Sequence, residues 1–256
     1  MKENRKHALT CTFVQRMITA VFLSALAIAI TGRAADLVTT TSVTQDRDAT
    51  YNWQDRHAEI LARNKEIKPE VVVFGDSIIH YWGGEPKAPK TRDSQSWSNC
   101  FAGVSVENLG FGWDRTENVL WRIEHGELDN IQPKVIIIKI GTNNTGTNTP
   151  EDIAAGIETV CDAAHKKQPE AKILLLGILP RRDEKPGHSI TKQVNKLVAA
   201  HFSGVDYVTF RDFGSAFRND DGTPNASLFA DKVHINAAGY EILGAKIRAE
   251  MTNLMK

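Results

Sequence analysis

The sequence is short of cysteine, of net charge and of any long apolar run. Three cysteines in 256 residues exclude the disulfide framework on which small secreted domains depend. Neither Cys100 nor Cys161 has a second cysteine at zinc-binding spacing, and whether the two pair is open at this stage. The 31 Lys+Arg balance 31 Asp+Glu, so there is no basic footprint of the kind a nucleic-acid partner requires. The longest uncharged apolar stretch, Met17 to Ile30, is shorter than the roughly 20 residues a spanning helix needs. Lys2, Arg5, Lys6 and Arg16 precede it and Gly32-Arg33-Ala34 follows, which is the build of a secretory signal peptide cleaved near Ala34. Cys11 lies before the apolar run, which argues against a lipid-anchored N-terminus; an uncleaved anchor is the alternative. Loss of residues 1–34 removes five of the basic and one of the acidic side chains, leaving 26 against 30 and a formal charge near −4. The expected product is exported, periplasmic or extracellular, with no stable membrane insertion after cleavage.

What remains fits one domain, since single cores grow to roughly 250 residues before chains divide. No internal repeat is present. Residues 36–50, DLVTTTSVTQDRDAT, are polar, rich in threonine and without period, and predict a loosely held leader. The expected division is a signal peptide over 1–34, a flexible leader over 35–52 and a folded domain over 53–256. Beyond a helix at Trp53 to Ile67, five strand-length apolar runs follow: VVVFG at 71, VSVENLGF at 104, KVIIIKIG at 134, KILLLGILP at 172 and VDYVTFRDF at 205. Helical patterns lie between them, from Thr116, Pro150 and Ser189, and another closes the chain from Asn236. The helix at 150 has Thr149 as N-cap, Pro150 at its first position and Glu151 and Asp152 in its first turn. Strands that are apolar on both faces and alternate with helices predict a parallel sheet covered on each side. Ligands then bind beyond the carboxyl ends of the strands.

Four short blocks occupy the loops to be searched: FGDSI after the first strand, NLGFG after the second, GTNN after the third and DKVHIN before the last helix. Ser77 stands where a strand hands over to a helix, so its hydroxyl projects from the sheet edge; as an isolated tripeptide, GDS reads as an ordinary helix cap, and the other three blocks reverse that reading. A serine hydroxyl needs a neighbouring base to become a nucleophile. Among the histidines, His234 is the candidate because Asp231, three residues earlier, can fold back and hold one ring nitrogen, freeing the other for Ser77. His57, His80, His125, His165, His188 and His201 have no comparable setting. Alone, NLGFG reads as a tight turn and GTNN as a polar loop capping the next helix.

Taken together, the four blocks resemble those of the SGNH hydrolases, also called the GDSL esterase/lipase family. The stretch Asn108 to Gly146 and the QPEAKILLLGILPR that follows are similar to the catalytic subunits of the intracellular platelet-activating-factor acetylhydrolases, and the similarity runs roughly from Glu70 to Leu243. It implies a flavodoxin-like, three-layer α/β/α sandwich around a five-stranded parallel sheet, and a serine esterase acting through an acyl-enzyme without metal or cofactor. Ser77 is the implied nucleophile, His234 the proton shuttle and Asp231 its orienting partner. The implied oxyanion hole is the backbone N–H of Ser77 and of Gly110 with the side-chain amide of Asn143. Candidate substrate contacts are Asp76, Trp113 and Asn144. A homodimer is compatible with the resemblance, although no interface residue can be matched.

Two departures stand out. Asn144 fills the last place of a block that more often reads Gly-x-Asn-Asp, as it does in the acetylhydrolase branch. Where that branch has Gly-Gly-Asp-Ser after the second strand, this chain has Gly112-Trp113-Asp114-Arg115, which sets an aromatic ring and a cation beside the expected acyl pocket. Trp113 with Tyr81 and Trp82 suggests a sugar-stacking surface, with core packing as the plain alternative. Rival motifs fail. Ile79 replaces the second glycine of a G-x-S-x-G elbow, and Arg115 stands at the third glycine of a dinucleotide fingerprint. The expected substrate is a short-chain ester, acetyl above all, on a carbohydrate or small molecule. A phospholipid acetylhydrolase or lysophospholipase, and a carbohydrate-binding protein that no longer turns over, are the alternatives.

Overall fold

In the computed structural model, residues 38–185 and 187–256 are described; the expected signal peptide and the cleavage point at Ala34 lie outside them. Five parallel strands form one sheet: β1 Val71–Gly75, β2 Val106–Gly110, β3 Val135–Lys139, β4 Lys172–Leu176 and β5 Val208–Arg211. Their order is β2-β1-β3-β4-β5, the flavodoxin-like doubly wound arrangement. The helices are α1 Trp53–Glu66, α2 Ser77–His80, α3 Ser94–Cys100, α4 Thr116–Glu124, α5 Pro150–Lys167, α6 Ile190–His201 and α7 Ala237–Leu254.

The continuous apolar runs are explained by burial on both sides of the sheet. Alternate residues enter different cores: Val72, Phe74, Ile136 and Ile138 join side chains of α1, α4, α5 and α6, whereas Val71, Val73, Val135 and Ile137 join those of α3 and α7. Each such side chain contributes about 1.5–3 kcal/mol by leaving water. The helix caps follow local chemistry. The Asp152 N–H donates to Thr149 Oγ1 at 3.2 Å, Pro150 opens α5 and His165, Lys166 and Lys167 close it, so its charges match the helix dipole. Cys100 and Cys161 are free and buried, and they lie in opposite cores. Among the described residues no helix is long and apolar enough to cross a membrane.

The leader departs from its expectation. It is fastened from Val38 onward instead of being a loose tether over 38–52, and residues 35–37 of the expected leader lie outside the described residues. Thr39 is fully buried; its Oγ1 donates to the Asp152 carbonyl at 2.7 Å, and its own carbonyl accepts from Thr116 Oγ1 at 3.0 Å. The Val43 N–H donates to Glu117 O at 3.2 Å, and Asn118 Nδ2 donates to Val43 O at 3.0 Å. The polar composition that reads as disorder instead supplies hydrogen bonds to α4, to α5 and to the loop between β2 and α4. We call residues 38–52 the strap.

In this sheet the winding direction reverses between β1 and β3, because β2 lies on one side of β1 and β3 and β4 on the other. The loops leaving β1 and β3 therefore diverge and open a crevice at their carboxyl ends. Ser77 and Asn143 are carried by those two loops.

Candidate active site

Ser77 is the first residue of α2, and its approach is set by three neighbours. Gly75 ends β1 so close to the next turn that a Cβ there would lie 2.3 Å from Ile79 Cγ1 and 2.8 Å from the Lys139 carbonyl. Asp76 caps α2, its Oδ1 accepting the Ile78 N–H at 2.9 Å. Its other oxygen accepts from Lys139 Nζ at 3.1 Å, and the same ammonium donates to Thr142 Oγ1 at 2.8 Å. Lys139 is completely buried. One ammonium thus ties the turn carrying Ser77 to the loop carrying Asn143. The sequence signal was available in KVIIIKIG, since a lysine inside a buried strand demands a buried counter-ion. Asp76 is 1% exposed and has no surface for substrate. Its expected role as a substrate contact is corrected to a structural one.

The Ser77 hydroxyl lies 2.8 Å from His234 Nε2, across 157 residues of sequence. His234 Nδ1 lies 2.8 Å from Asp231 Oδ2. With Nδ1–H given to the carboxylate, Nε2 is left as the acceptor for the serine proton. Asp231 Oδ1 accepts the backbone N–H of Val233 at 2.9 Å and of His234 at 2.8 Å. Partial burial opposes ionisation of Asp231, but these backbone N–H groups and the imidazole outweigh it and draw its carboxyl down to about 2. Arg92 approaches the same Oδ2 at 3.5 Å. The tetrad Ser77, His234, Asp231 and Arg92 is therefore one continuous line of polar contacts.

The turn after β2 differs from its expectation. The Gly110 N–H already donates to Asn108 Oδ1 at 2.8 Å, and a Cβ at Gly110 would lie 2.3 Å from the His80 backbone nitrogen. Glycine is needed there so that β2 can pack under α2, and the residue supplies no free donor to an oxyanion. Gly110 is thus removed from the candidate oxyanion hole. The residue of this turn that reaches the cavity is Trp113, half exposed, with a left-handed backbone (φ 65°) that side-chain-bearing residues seldom adopt. Among the described residues neither its N–H nor that of Ser77 has a hydrogen-bond acceptor. Asn143 Nδ2 donates to the Asp114 carbonyl at 2.9 Å, leaving its second amide proton unused.

Asn144 is also reassigned. It is fully buried; its Oδ1 accepts the Thr116 N–H at 3.1 Å and its Nδ2 donates to Glu117 Oε2 at 3.0 Å, so it joins the β3 loop to α4 instead of touching substrate. Trp82 is fully buried and stacks on Tyr240, which removes it from any sugar-stacking surface. His80 is buried too; desolvation, with the nearby Arg56 and Arg122 charges, pushes it down to about 2. Its neutral Nδ1 accepts the Gly112 N–H at 3.0 Å, holding the turn that carries Trp113.

That turn is gripped from outside as well. Gln45 Nε2 and the Tyr51 hydroxyl both donate to Gly112 O, at 2.9 and 3.1 Å, and Arg47 donates to Trp113 O at 3.2 Å. Trp53 Nε1 and Arg122 Nε donate to the buried Asp114 carboxylate, each at 2.8 Å, and Arg122 also pairs with Glu127. Burial raises the Asp114 carboxyl against the pull of Arg122.

A cavity of about 400 Å³ is lined by Ser77, His234, Val233, Asn143 and Trp113, with Asp48, Thr50, Tyr81, Lys90 and Arg181 completing its wall. A second cavity of about 400 Å³, beside Asn195 and Arg218, is lined by Ser215 and Thr191 but by no histidine to serve as their base. Among the described residues no group of three or more His, Cys, Asp or Glu could hold a metal ion.

Residues 73–242 match the model of the GDSL-like lipase/acylhydrolase family. The chain is 34% identical over 197 residues to the human platelet-activating factor acetylhydrolase IB subunit alpha1, covering 77% of this chain and 81% of that one. Among solved structures, a GDSL-like lipase from Bacteroides thetaiotaomicron is similar with a TM-score of 0.59 at 19% identity, covering 77% of this chain and 97% of that one. A carbohydrate acetylesterase from Sinorhizobium meliloti is similar with a TM-score of 0.57 at 21% identity, covering 73% of this chain and 100% of that one.

Proposed function

The chain belongs to the GDSL-like lipase/acylhydrolase family and is a carboxylic ester hydrolase, and on that premise we propose that it is a serine esterase for short-chain esters, chiefly acetyl esters of carbohydrates, acting after export. The observation that carries the mechanism is the unbroken contact line Ser77 Oγ, His234 Nε2, His234 Nδ1, Asp231 Oδ2, with both spacings 2.8 Å. His234 takes the hydroxyl proton as Ser77 attacks the ester carbon, and Asp231 stabilises the imidazolium that forms. Negative charge then develops on the carbonyl oxygen. The donors available to it are the Ser77 and Trp113 N–H groups and the remaining amide proton of Asn143, each of which would strengthen its bond as the charge grows. His234 returns the proton to the departing alcohol, leaving an acyl-Ser77 ester. A water molecule, deprotonated by the same imidazole, then releases the acid.

What supports an acetyl group is the modest size of the cavity and the few aliphatic side chains on its wall, where Val233 stands among polar and aromatic residues. What supports a carbohydrate is the exposed Trp113 ring at that wall and the fold shared with an acetylesterase of carbohydrates. Export is supported by the sequence of residues 1–34 alone. A phospholipid acetyl ester is the second reading, favoured by the 34% identity to an acetylhydrolase. Ser77→Ala is expected to abolish hydrolysis of p-nitrophenyl acetate, and retained turnover by that variant would reject the assignment. A series of nitrophenyl esters separates the substrate readings: activity confined to about four carbons or fewer supports the acetylesterase, and a rise with chain length supports the lipid.

A further inference from the structure

During acyl transfer the leaving alcohol lies on the side of the imidazole that returns its proton. The wall of the cavity beside the imidazole includes Tyr81, whose ring centroid is 6.3 Å from that of His234. The Tyr81 hydroxyl donates to Asp48 Oδ2 at 2.6 Å, while Asp48 Oδ1 is turned to Thr50, accepting its N–H at 2.9 Å and its Oγ1 at 2.5 Å. A carboxylate oxygen accepts two hydrogen bonds, so Oδ2 keeps a place for one more donor at the cavity wall. Space for this arrangement is reserved by Gly112, where a Cβ would lie 2.3 Å from Asp48 Oδ2 and 2.8 Å from the Tyr81 hydroxyl. Lys90 Nζ stands 4.6 Å from the centroid of the same Tyr81 ring. Among the described residues it has no hydrogen-bond or ion-pair partner, so its protons are available. Partial burial opposes ionisation of Asp48, but hydrogen bonds from Thr50 and Tyr81 outweigh it and hold the carboxyl below the usual range. An acceptor and a donor thus flank one aromatic shelf, with the half-exposed Trp113 indole on the same cavity. Asp48 belongs to the strap and lies outside the residues the family model matches.

We propose that Asp48 and Lys90 are specificity-determining residues that read hydroxyl groups on the departing alcohol, so that the preferred substrate is an acetyl ester on a sugar ring with free neighbouring hydroxyls. This rests on the esterase reading above. The carboxylate accepts from one ring hydroxyl, the ammonium donates to another, and the indole covers the apolar face of the ring. Beside the Tyr81 and Trp113 rings, Val233 is the one aliphatic residue among those lining the cavity, and no long apolar groove for an alkyl chain is formed by them. A quaternary ammonium headgroup would meet the like charge of Lys90 at the ring it would otherwise use.

The test compares partially acetylated xylo-oligosaccharide with p-nitrophenyl acetate for the wild type, Asp48→Ala and Lys90→Met. The ratio of kcat/KM for the sugar ester over the nitrophenyl ester is expected to fall roughly 10- to 100-fold in Asp48→Ala, the loss carried by KM, as for a hydrogen bond to a charged group. Lys90→Met, which breaks no bond to the strap, is expected to lower the same ratio about tenfold and keeps the question answerable if Asp48→Ala folds poorly. An unchanged ratio in Lys90→Met overturns the proposal, as does an equal loss on both esters in both variants. A wild-type enzyme that cleaves nitrophenyl acetate but no sugar acetate also overturns it and leaves the esterase reading standing. A wild type that cleaves neither ester overturns both.

Discussion

Four consecutive residues, with Arg92 approaching Asp231 from elsewhere in the chain, build the rim of the cavity that carries His234, whereas the facing rim, from Gly110 to Thr116, draws on several separate parts of the chain. On the first rim Asp231 accepts the backbone N–H of Val233 and of His234 and the imidazole of His234 itself. On the second, the carbonyls and the buried carboxylate are held by Gln45, Arg47, Tyr51, Trp53 and Arg122. The strap and α1 partners in that group lie 61 to 69 residues away in sequence. The contrast teaches that base and oxyanion donors are separable in energetic terms. The base is positioned locally and at little cost to the fold, while the Trp113 turn inherits its shape from a buried ionic network.

The sharpest way to break that contrast is Asp231→Asn. The amide keeps an oxygen for the two backbone N–H groups but no longer holds the productive tautomer. Turnover of p-nitrophenyl acetate is expected to fall on the order of 10⁴-fold, with the melting temperature lowered only modestly, because the half-exposed carboxylate contributes little to the fold. A melting temperature that drops in step with activity would show that this rim is not self-contained. Arg122→Met tests the facing rim, because it strands the Asp114 and Glu127 carboxylates in a site from which water is excluded. Urea unfolding is expected to register a loss of about 3–5 kcal/mol, and a loss under about 1 kcal/mol would remove the distinction between the rims.

The smallest expected effect is the pH dependence of the local rim. The Asp231 carboxyl titrates below its ordinary value, at about 2, so its contribution to stability is present above the usual carboxylate pKa and is lost as pH falls from about 4 toward 2. Urea midpoints at pH 5 and pH 3 should therefore differ less in Asp231→Asn than in the wild type. An identical difference in the two proteins would mean that the carboxylate adds nothing to the fold.

The same contrast explains what could be read in the sequence. The strands were legible because Val71–Gly75 and Val135–Lys139 are apolar throughout, and only a sheet covered on both faces buries such runs. Ser77 and His234 were legible because strand end and Asp-x-x-His spacing are local patterns. The strap was not, since threonine, glutamine and arginine read as solvated until the carbonyls of Gly112 and Trp113 are placed beside them. Gly110 misled for a related reason. A glycine signals close approach but not to what, and here the neighbour is the His80 backbone. Asp76 and Asn144 stand next to the chemistry in sequence, yet their polar atoms are consumed by Lys139, Thr116 and Glu117. Sequence proximity could not distinguish a group that meets substrate from one that supports its neighbour.

Cys100 and Cys161 carry a consequence of their own. They are separated by the thickness of the sheet, and desolvation raises both thiols, Cys100 to about 12 and Cys161 well above its ordinary value. Neither offers a thiolate to an oxidant or a cross-linking partner. The described fold is consequently indifferent to redox poise: it would assemble equally well in a reducing or an oxidising compartment, with no call on disulfide-forming enzymes.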